Sequence, residues 1–309
     1  MRVSHRLLLA FAALPLIGAS CGQKKPPPAD DPGPDLAYKA TPAEPAPAPT
    51  PPPTPTAGSP PEAMPAGTPD PKRVDALVGK LQSPCGKAHS LAKSLETDKA
   101  CKRAPFAKKY VELLVSLGAN DDEVTQLYGE RYAQGKNVEL DLHEAAFLGK
   151  PNAPVQIAEF FDYNCPHCRD KEPVLEELVK RYPDQVVVFF KNFPLAGNKE
   201  SPQAAAAAIA AQRQGKFLAM HRKLFENQGM HDKASLVRYA KEIGLDEKRF
   251  QADLADPKVV ARVDGDRQEG VKADIKGTPT LYINGRLYTD PVVIELLPSW
   301  VDEELAVNR

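Results

Sequence analysis

A buried strand that runs into a closely spaced pair of cysteines constrains this chain more than any other feature. Val155 to Phe161 is rich in apolar and aromatic residues and reads as a buried strand. It breaks at Asp162-Tyr163-Asn164, and Cys165-Pro166-His167-Cys168 then opens a predicted helix. A C-x-x-C pair at a strand-to-helix junction is the usual setting of a dithiol/disulfide redox centre. A thiolate at a helix N-terminus faces unpaired backbone N–H groups and the positive end of the helix dipole, which makes it a good nucleophile and a good leaving group. Pro166 suits the first helical turn, where its missing N–H would be unpaired anyway. His167 adds partial positive charge beside the sulfur. The competing readings are a purely structural disulfide and half of a zinc site. Zinc would need two more ligands, and no second C-x-x-C or H-x₃-H occurs, so no metal is expected.

Residues 1–20 have the layout of a secretory signal: Arg2 and Arg6, an apolar run from Leu7 to Ile17, then Gly18-Ala19-Ser20. The run is too short to span a bilayer comfortably. Cys21 follows, and the junction resembles the lipobox of bacterial lipoproteins, whose first mature residue is a lipidated cysteine. Gly18 stands where that pattern usually has Leu. The resemblance implies a lipid anchor to a membrane at Cys21, with plain secretion as the alternative. Residues 21–70 form the next segment, in which Gly22 to Asp70 holds 17 of the 32 prolines, too little apolar surface to offset the entropy of ordering. This segment reads as an extended tether of polyproline II character, reaching about 150 Å at about 3.1 Å per residue. A PxxP ligand for SH3-like domains is the weaker reading. With 40 basic and 41 acidic residues the net charge is −1, and nothing points to nucleic acid or a polybasic membrane patch. If Cys21 is lipidated, Cys85, Cys101, Cys165 and Cys168 remain as an even set that an oxidising compartment would allow to pair.

Residues 71–136 carry helical periodicity alone. Val74, Leu77, Val78 and Leu81 recur at helical spacing, as do Leu91 and Leu95. Pro105 starts a clearer helix that stops at Gly118, and Asn120-Asp121-Asp122-Glu123 reads as an N-cap with acidic first-turn residues. The expectation is a small all-α segment of three helices. Leu81-Gln82, Ser90-Leu91, the Leu113-to-Gly118 turn, Asp121 to Val124 and Arg131-Tyr132 weakly resemble the periplasmic CcmH-type proteins of cytochrome c maturation. Ser83 and Gly86 occupy that family's C-x-x-C positions, so its redox activity is not carried over. Cys85 and Cys101 flank a predicted helical hairpin. A structural disulfide is the simpler expectation, and a second redox pair is the alternative.

Residues 137–309 switch to mixed periodicity. Val138 to Leu142 alternates as an edge strand would, followed by a turn at Gly149 to Pro154, the redox strand and helix, and a β-branched and aromatic strand from Gln185 to Phe190. Helical segments then run from Ser201 to Asp274, starting with an alanine run that implies close helix packing. Thr280 to Ile283, Asn284-Gly285 and Arg286 to Tyr288 read as a hairpin with a type I′ turn, and a final helix holds Val292, Ile294, Leu296, Leu297, Trp300 and Val301. This order gives an α/β chain with a thioredoxin-like fold and an inserted helical subdomain, preceded by the small all-α segment.

Residues 138–305 resemble the DsbA family of exported thiol:disulfide oxidoreductases. The matching pieces are Gly149-Lys150-Pro151-Asn152-Ala153-Pro154, Glu159 to Tyr163, Cys165 to Cys168, Phe193-Pro194-Leu195 and Gly277-Thr278-Pro279-Thr280. The resemblance implies that Cys165 is the exposed sulfur that exchanges with substrate and Cys168 the buried resolving one. It implies that Pro279 is a cis-proline facing them, and that Thr278 presents backbone groups to an extended substrate peptide. Glu159, six residues before Cys165, is then the buried acid that relays a proton for Cys168. His221 and His231 show no partner pattern and read as surface or packing residues. The implied reaction needs no organic cofactor beyond the redox-active disulfide. Its partners would be exported cysteine-containing proteins and a membrane or envelope redox protein, in the periplasm or cell envelope. Oxidation is the favoured direction, with isomerase or reductase activity as the alternative. A peptide-binding chaperone module on the same scaffold is the reading from a different class.

Overall fold

A computed structural model describes residues 67–132, 137–290 and 296–308, which belong to one compact unit. The signal segment, Cys21 and all but the end of the proline-rich tether lie outside the described residues.

Helices α1 (Pro71–Lys80), α2 (Leu91–Thr97), α3 (Ala104–Ser116) and α4 (Asp121–Tyr132) come first. The segment therefore has four helices where the sequence suggested three. Asp70 caps α1 through the Lys72 N–H, and Ser90 caps α2 through the Lys93 N–H. The chain between them turns back on itself at a Gln82–Ser90 bridge. Cys85, in that turn, is disulfide-bonded to Cys101 just before α3, with Cα atoms 5.8 Å apart. Asn120 and Glu123 form a reciprocal capping box at the start of α4: the Asn120 N–H donates to Glu123 Oε2 at 2.7 Å, and the Glu123 N–H to Asn120 Oδ1 at 3.0 Å. Leu77, Leu91, Ala107, Val111 and Val124 share the apolar interior of these helices.

The α/β part follows as β1 (Ala146–Gly149), β2 (Val155–Phe161), α5 (Pro166–Arg181) and β3 (Val186–Asn192). Next come five helices, α6 (Ser201–Gln212), α7 (Phe217–Glu226), α8 (Lys233–Glu242), α9 (Glu247–Leu254) and α10 (Pro257–Lys272), then β4 (Thr280–Ile283), β5 (Arg286–Leu287) and α11 (Leu297–Val307). The sheet order is β1-β3-β2-β4-β5, with β2 and β3 parallel and the other pairs antiparallel. This is a thioredoxin-like α/β fold with helices inserted between β3 and β4. Asn284 and Gly285 have φ of 49° and 78° at the hairpin tip, the left-handed backbone that an Asn-Gly turn supplies.

Two sequence expectations shift. Val138 to Leu142 does not form a strand; the first strand is β1 at Ala146–Gly149. Val138, Leu140 and Leu142 still pack inward, against the cluster of Phe160, Phe193 and Tyr282. The Val138 N–H donates to the Gly285 carbonyl at 2.8 Å, and side chains meet the Asp141 peptide groups: its N–H donates to Glu269 Oε1 at 2.6 Å and Lys191 Nζ donates to its carbonyl at 2.8 Å. The final helix begins at Leu297, and Val292 and Ile294 lie outside the described residues.

Strand β2 lies between β3 and β4, which pair with its two edges, and side-chain clusters cover both its faces. Val155, Ile157 and Phe161 enter the main core, whereas Ala158 and Phe160 enter the smaller cluster on the opposite face. The same alternation sends Glu159 into the main core. Helix α6 is buried all round: Ala204, Ala207, Ala208, Ala210 and Ala211 face the main core, while Ala205, Ala206 and Ile209 face Val259 and Val263 of α10. An alanine surface lets helices approach on every side, so the alanine run is packing.

The helical segment is joined to α11 and the hairpin by buried charge. Arg131, 1% exposed, contacts Asp290 at 3.2 Å and Glu303 at 2.9 Å. Arg286 contacts Glu303 at 3.0 Å and Glu304 at 2.7 Å, and donates to the Arg131 carbonyl. Arg103 of the turn before α3 reaches both glutamates. Trp300 Nε1 donates to Asp290 at 2.7 Å, and the Arg131 and Arg286 guanidiniums lie 4.6 and 4.7 Å from the Trp300 ring centre. Three guanidiniums thus face three carboxylates. Burial alone would push the Glu303 carboxyl up, but Arg131, Arg286 and Arg103 together hold it below the ordinary carboxylate range.

Candidate active site

Strand β2 delivers its last residue to a tight loop, and Asp162 fixes that loop. Asp162 is buried and accepts from the Asn164 N–H at 2.6 Å, the Leu195 N–H at 2.7 Å, Asn198 Nδ2 at 3.1 Å and the Ser201 hydroxyl at 2.5 Å. These bonds tie the loop to the chain entering α6. Cys165 is the N-cap residue of α5, with extended backbone, and Pro166 occupies the first turn without leaving a donor unmet. Pro166 and His167 are exposed.

The two sulfurs differ in access, though less than the sequence suggested. Cys165 is 7% exposed and Cys168 0%, and both are free thiols. Cys165 is not openly exposed because the loop before β4 covers it: its Sγ donates to the Thr278 carbonyl at 3.3 Å. The Thr278–Pro279 peptide bond is cis, and both residues are half-buried. Five of the expected residues, Cys165, Cys168, Thr278, Pro279 and Glu159, are therefore brought to one place.

Glu159 lies fully buried beneath them, and neither of its carboxyl oxygens has a hydrogen-bond partner. Burial pushes its carboxyl well above the ordinary range, and the negative charges of Glu172 and Cys165 push the same way. Burial, followed by Glu159, also drives the Cys168 thiol far upward. A carboxyl that holds its proton more tightly than usual therefore sits close to a thiol that resists ionisation.

Sequence reasoning missed the groups around this acid. His221 of α7 is buried, and its Nδ1 lies 2.9 Å from the Tyr163 hydroxyl; its Nε2 lies 2.8 Å from Glu172 Oε2 on α5. His221 is thus a packing residue, as expected, but with two polar partners. His231 is also buried, and its Nε2 contacts the Leu224 carbonyl at 2.9 Å. Glu172 is seven positions after Cys165 on the same helix, a spacing that places both on one helical face; that was the available signal. Cys85 and Cys101 belong to the helical segment and contribute nothing to this cluster.

A family model described as thioredoxin matches residues 142–303, more than half of the chain. The chain belongs to the thioredoxin family. The chain is 36% identical over 162 residues to a Na(+)/H(+) antiporter NhaA of Salinispora tropica, covering 52% of this chain and 25% of that protein. A Mycobacterium protein of the same description is 35% identical over 146 residues. The chain spans about a quarter of the length of these curated relatives. Among solved structures, a thioredoxin-like oxidoreductase from Silicibacter pomeroyi is 31% identical, with a TM-score of 0.48, and covers 56% of this chain and 95% of its own. Oxidised BdbD from Bacillus subtilis is 26% identical, with a TM-score of 0.49, and covers 55% of this chain and 97% of its own. Among the described residues no helix is long and apolar enough to cross a membrane.

Proposed function

We propose that this thioredoxin-family chain is a thiol:disulfide oxidoreductase of the cell envelope that oxidises exported cysteine-containing proteins through Cys165 and Cys168. The observation that carries the reading is the Cys165 thiol at the N-cap of α5, 3.3 Å from the Thr278 carbonyl of the cis-proline loop and above the buried Cys168 and Glu159. In the disulfide form, a substrate thiolate attacks Cys165 Sγ. A substrate–Cys165 disulfide forms, the Cys165–Cys168 bond breaks, and the Cys168 sulfur leaves and takes the Glu159 proton. A second substrate thiolate then attacks the substrate sulfur of the mixed disulfide and releases Cys165. The substrate loses two electrons, and the dithiol is reoxidised by an envelope redox partner. No metal or organic cofactor enters. The Thr278 backbone pairs with the extended substrate.

Oxidation is the proposed direction because a helix N-terminus, where Cys165 sits as the N-cap residue, favours a negative sulfur, so reduction of the disulfide would run downhill. Equilibration with glutathione tests the direction. A couple more oxidising than about −200 mV is expected, whereas one near about −270 mV would assign a reductase. Cys165→Ser should abolish oxidation of a reduced substrate, and Cys168→Ser should accumulate mixed disulfides on Cys165. A Cys165→Ser protein that kept full activity would assign a peptide-binding module instead. Lipidation at Cys21 completes the proposal: labelled palmitate should enter the protein and be lost in Cys21→Ser, together with membrane association.

A further inference from the structure

The helical insertion places one side chain directly on the peptide of the proposed nucleophile. Gln228 lies in the turn between α7 and α8, half-buried, and its Nε2 donates both hydrogens: to the Tyr163 carbonyl at 2.8 Å and to the Cys165 carbonyl at 2.9 Å. The next residue continues the attachment, since the Gly229 N–H donates to Asn164 Oδ1 at 2.8 Å. Three consecutive loop residues are thus held from a single turn of the insertion. Asn164 is held again from the other side, where its Nδ2 donates to the Ser201 hydroxyl at 3.0 Å.

We infer that Gln228 is a positioning residue that tunes the charge stability, and hence the redox poise, of Cys165. Two physical arguments support this, and both rest on the oxidoreductase reading above. The first is geometric. The Cys165 carbonyl also accepts the Cys168 N–H at 3.1 Å and the Arg169 N–H at 3.3 Å, the bonds that start α5. The direction of this carbonyl therefore sets how the first-turn N–H groups aim relative to the sulfur, and Gln228 adds a third donor that holds it. The second is electrostatic. Carbonyl oxygens are the negative ends of peptide dipoles; the Thr278 carbonyl faces the sulfur itself at 3.3 Å, and the Gln228 amide covers two more in the loop that carries it, those of Tyr163 and Cys165. Without Gln228, that loop would hold two less compensated carbonyls around a negative sulfur.

The role differs from simple loop anchoring. The Asp162 side chain already fixes the loop to Leu195, Asn198 and Ser201, and its carbonyl accepts the Cys165 N–H at 3.0 Å, but neither reaches the Cys165 carbonyl. Gln228 is the side chain, among the described residues, seen donating to the Cys165 carbonyl. Nothing in the sequence marks it, because a glutamine before a glycine between two helices is ordinary turn composition.

The test uses the full chain with Gln228→Leu, which keeps size and loses both donors, and Gln228→Glu, which sets an acceptor against two carbonyls. The position is half-buried and outside the core clusters, so both proteins should fold. Two readouts decide: the rate of Cys165 alkylation by iodoacetamide at neutral pH, and the equilibrium constant with glutathione. Gln228→Leu should slow alkylation several-fold and move the constant about tenfold toward the disulfide, equivalent to about 30 mV; Gln228→Glu should move both further the same way. Alkylation rates and constants within twofold of wild type in both variants, whatever happens to thermal stability, would overturn the inference. Should the wild-type protein form no mixed disulfide with glutathione, the oxidoreductase reading fails; the alkylation rates still decide whether Gln228 controls the sulfur.

Discussion

Replacing Glu159 by glutamine turns the buried acid into a measurable quantity. Glu159 is 0% exposed, with both oxygens unpartnered, and burial, then Glu172 and Cys165, holds its carboxyl well above the ordinary range. In the unfolded chain the same group ionises near pH 4.3, about the free value. Between that pH and its folded value the folded protein keeps a proton that the unfolded chain has released. The contribution of Glu159 to stability is therefore fully present below the unfolded value and is lost as pH rises toward the folded one. One proton gives a slope of about 1.4 kcal/mol per pH unit. Glutamine does not titrate. Stability differences between wild type and Glu159→Gln, from urea unfolding of the reduced proteins, should thus move in favour of the variant by about 1.4 kcal/mol from about pH 5 to about pH 6. Any fixed effect of burying an amide cancels in that comparison, as do groups common to both proteins. A difference that stays flat across this interval would show an ordinary carboxylate at this position and remove the proton relay from the mechanism. The same variant should slow release of Cys168 in substrate oxidation by about a hundredfold, the lower range for a lost general acid.

Two further outcomes follow from the helical segment. Arg131→Met leaves Asp290 and Glu303 with one guanidinium fewer in a site 1% exposed or less at the arginine, and should cost about 3–5 kcal/mol; this lowers the melting temperature by roughly 6–20 °C, with calorimetry as the check. Cys85→Ser with Cys101→Ser opens a loop of sequence separation 16 and should cost about 3 kcal/mol in denaturant unfolding, while the glutathione constant of Cys165–Cys168 stays the same; a shift in that constant would instead make Cys85–Cys101 a second redox pair.

The strand, loop and helix that carry the cysteines were legible because every cue is local: an apolar run, a break, and proline in a first turn. The Asn284-Gly285 turn was legible for the same reason, since its two positive φ angles need residues of those types. The order of the strands within the sheet was not legible, because periodicity does not say which strands pair. Edge strand β1 was misplaced because Val138 to Leu142 has strand-like alternation, yet its Val138 and Asp141 peptide groups are met by the Gly285 carbonyl, Glu269 and Lys191, each supplied from beyond residue 190. The polar pairing of His221 with Glu172 was not legible, because it depends on a contact between α5 and α7 that no local spacing encodes. Arg131 and Glu303, 172 positions apart, each look like an ordinary charge on a helix surface until the fold buries them together.

The balanced charges of Arg103, Arg131, Arg286, Asp290, Glu303 and Glu304 also restrict how this chain can diverge. A surface charge can be exchanged singly, because water takes over its solvation. Here any single neutral replacement strands an opposite charge in the interior, so each one-step path away from the set passes through a weakened protein. An all-apolar replacement of matching volume is a stable end point, but one reached only by several coordinated changes. The helical segment and α11 are therefore coupled in inheritance: a substitution tolerated in one depends on what the other already carries, and the two cannot be exchanged between related chains independently.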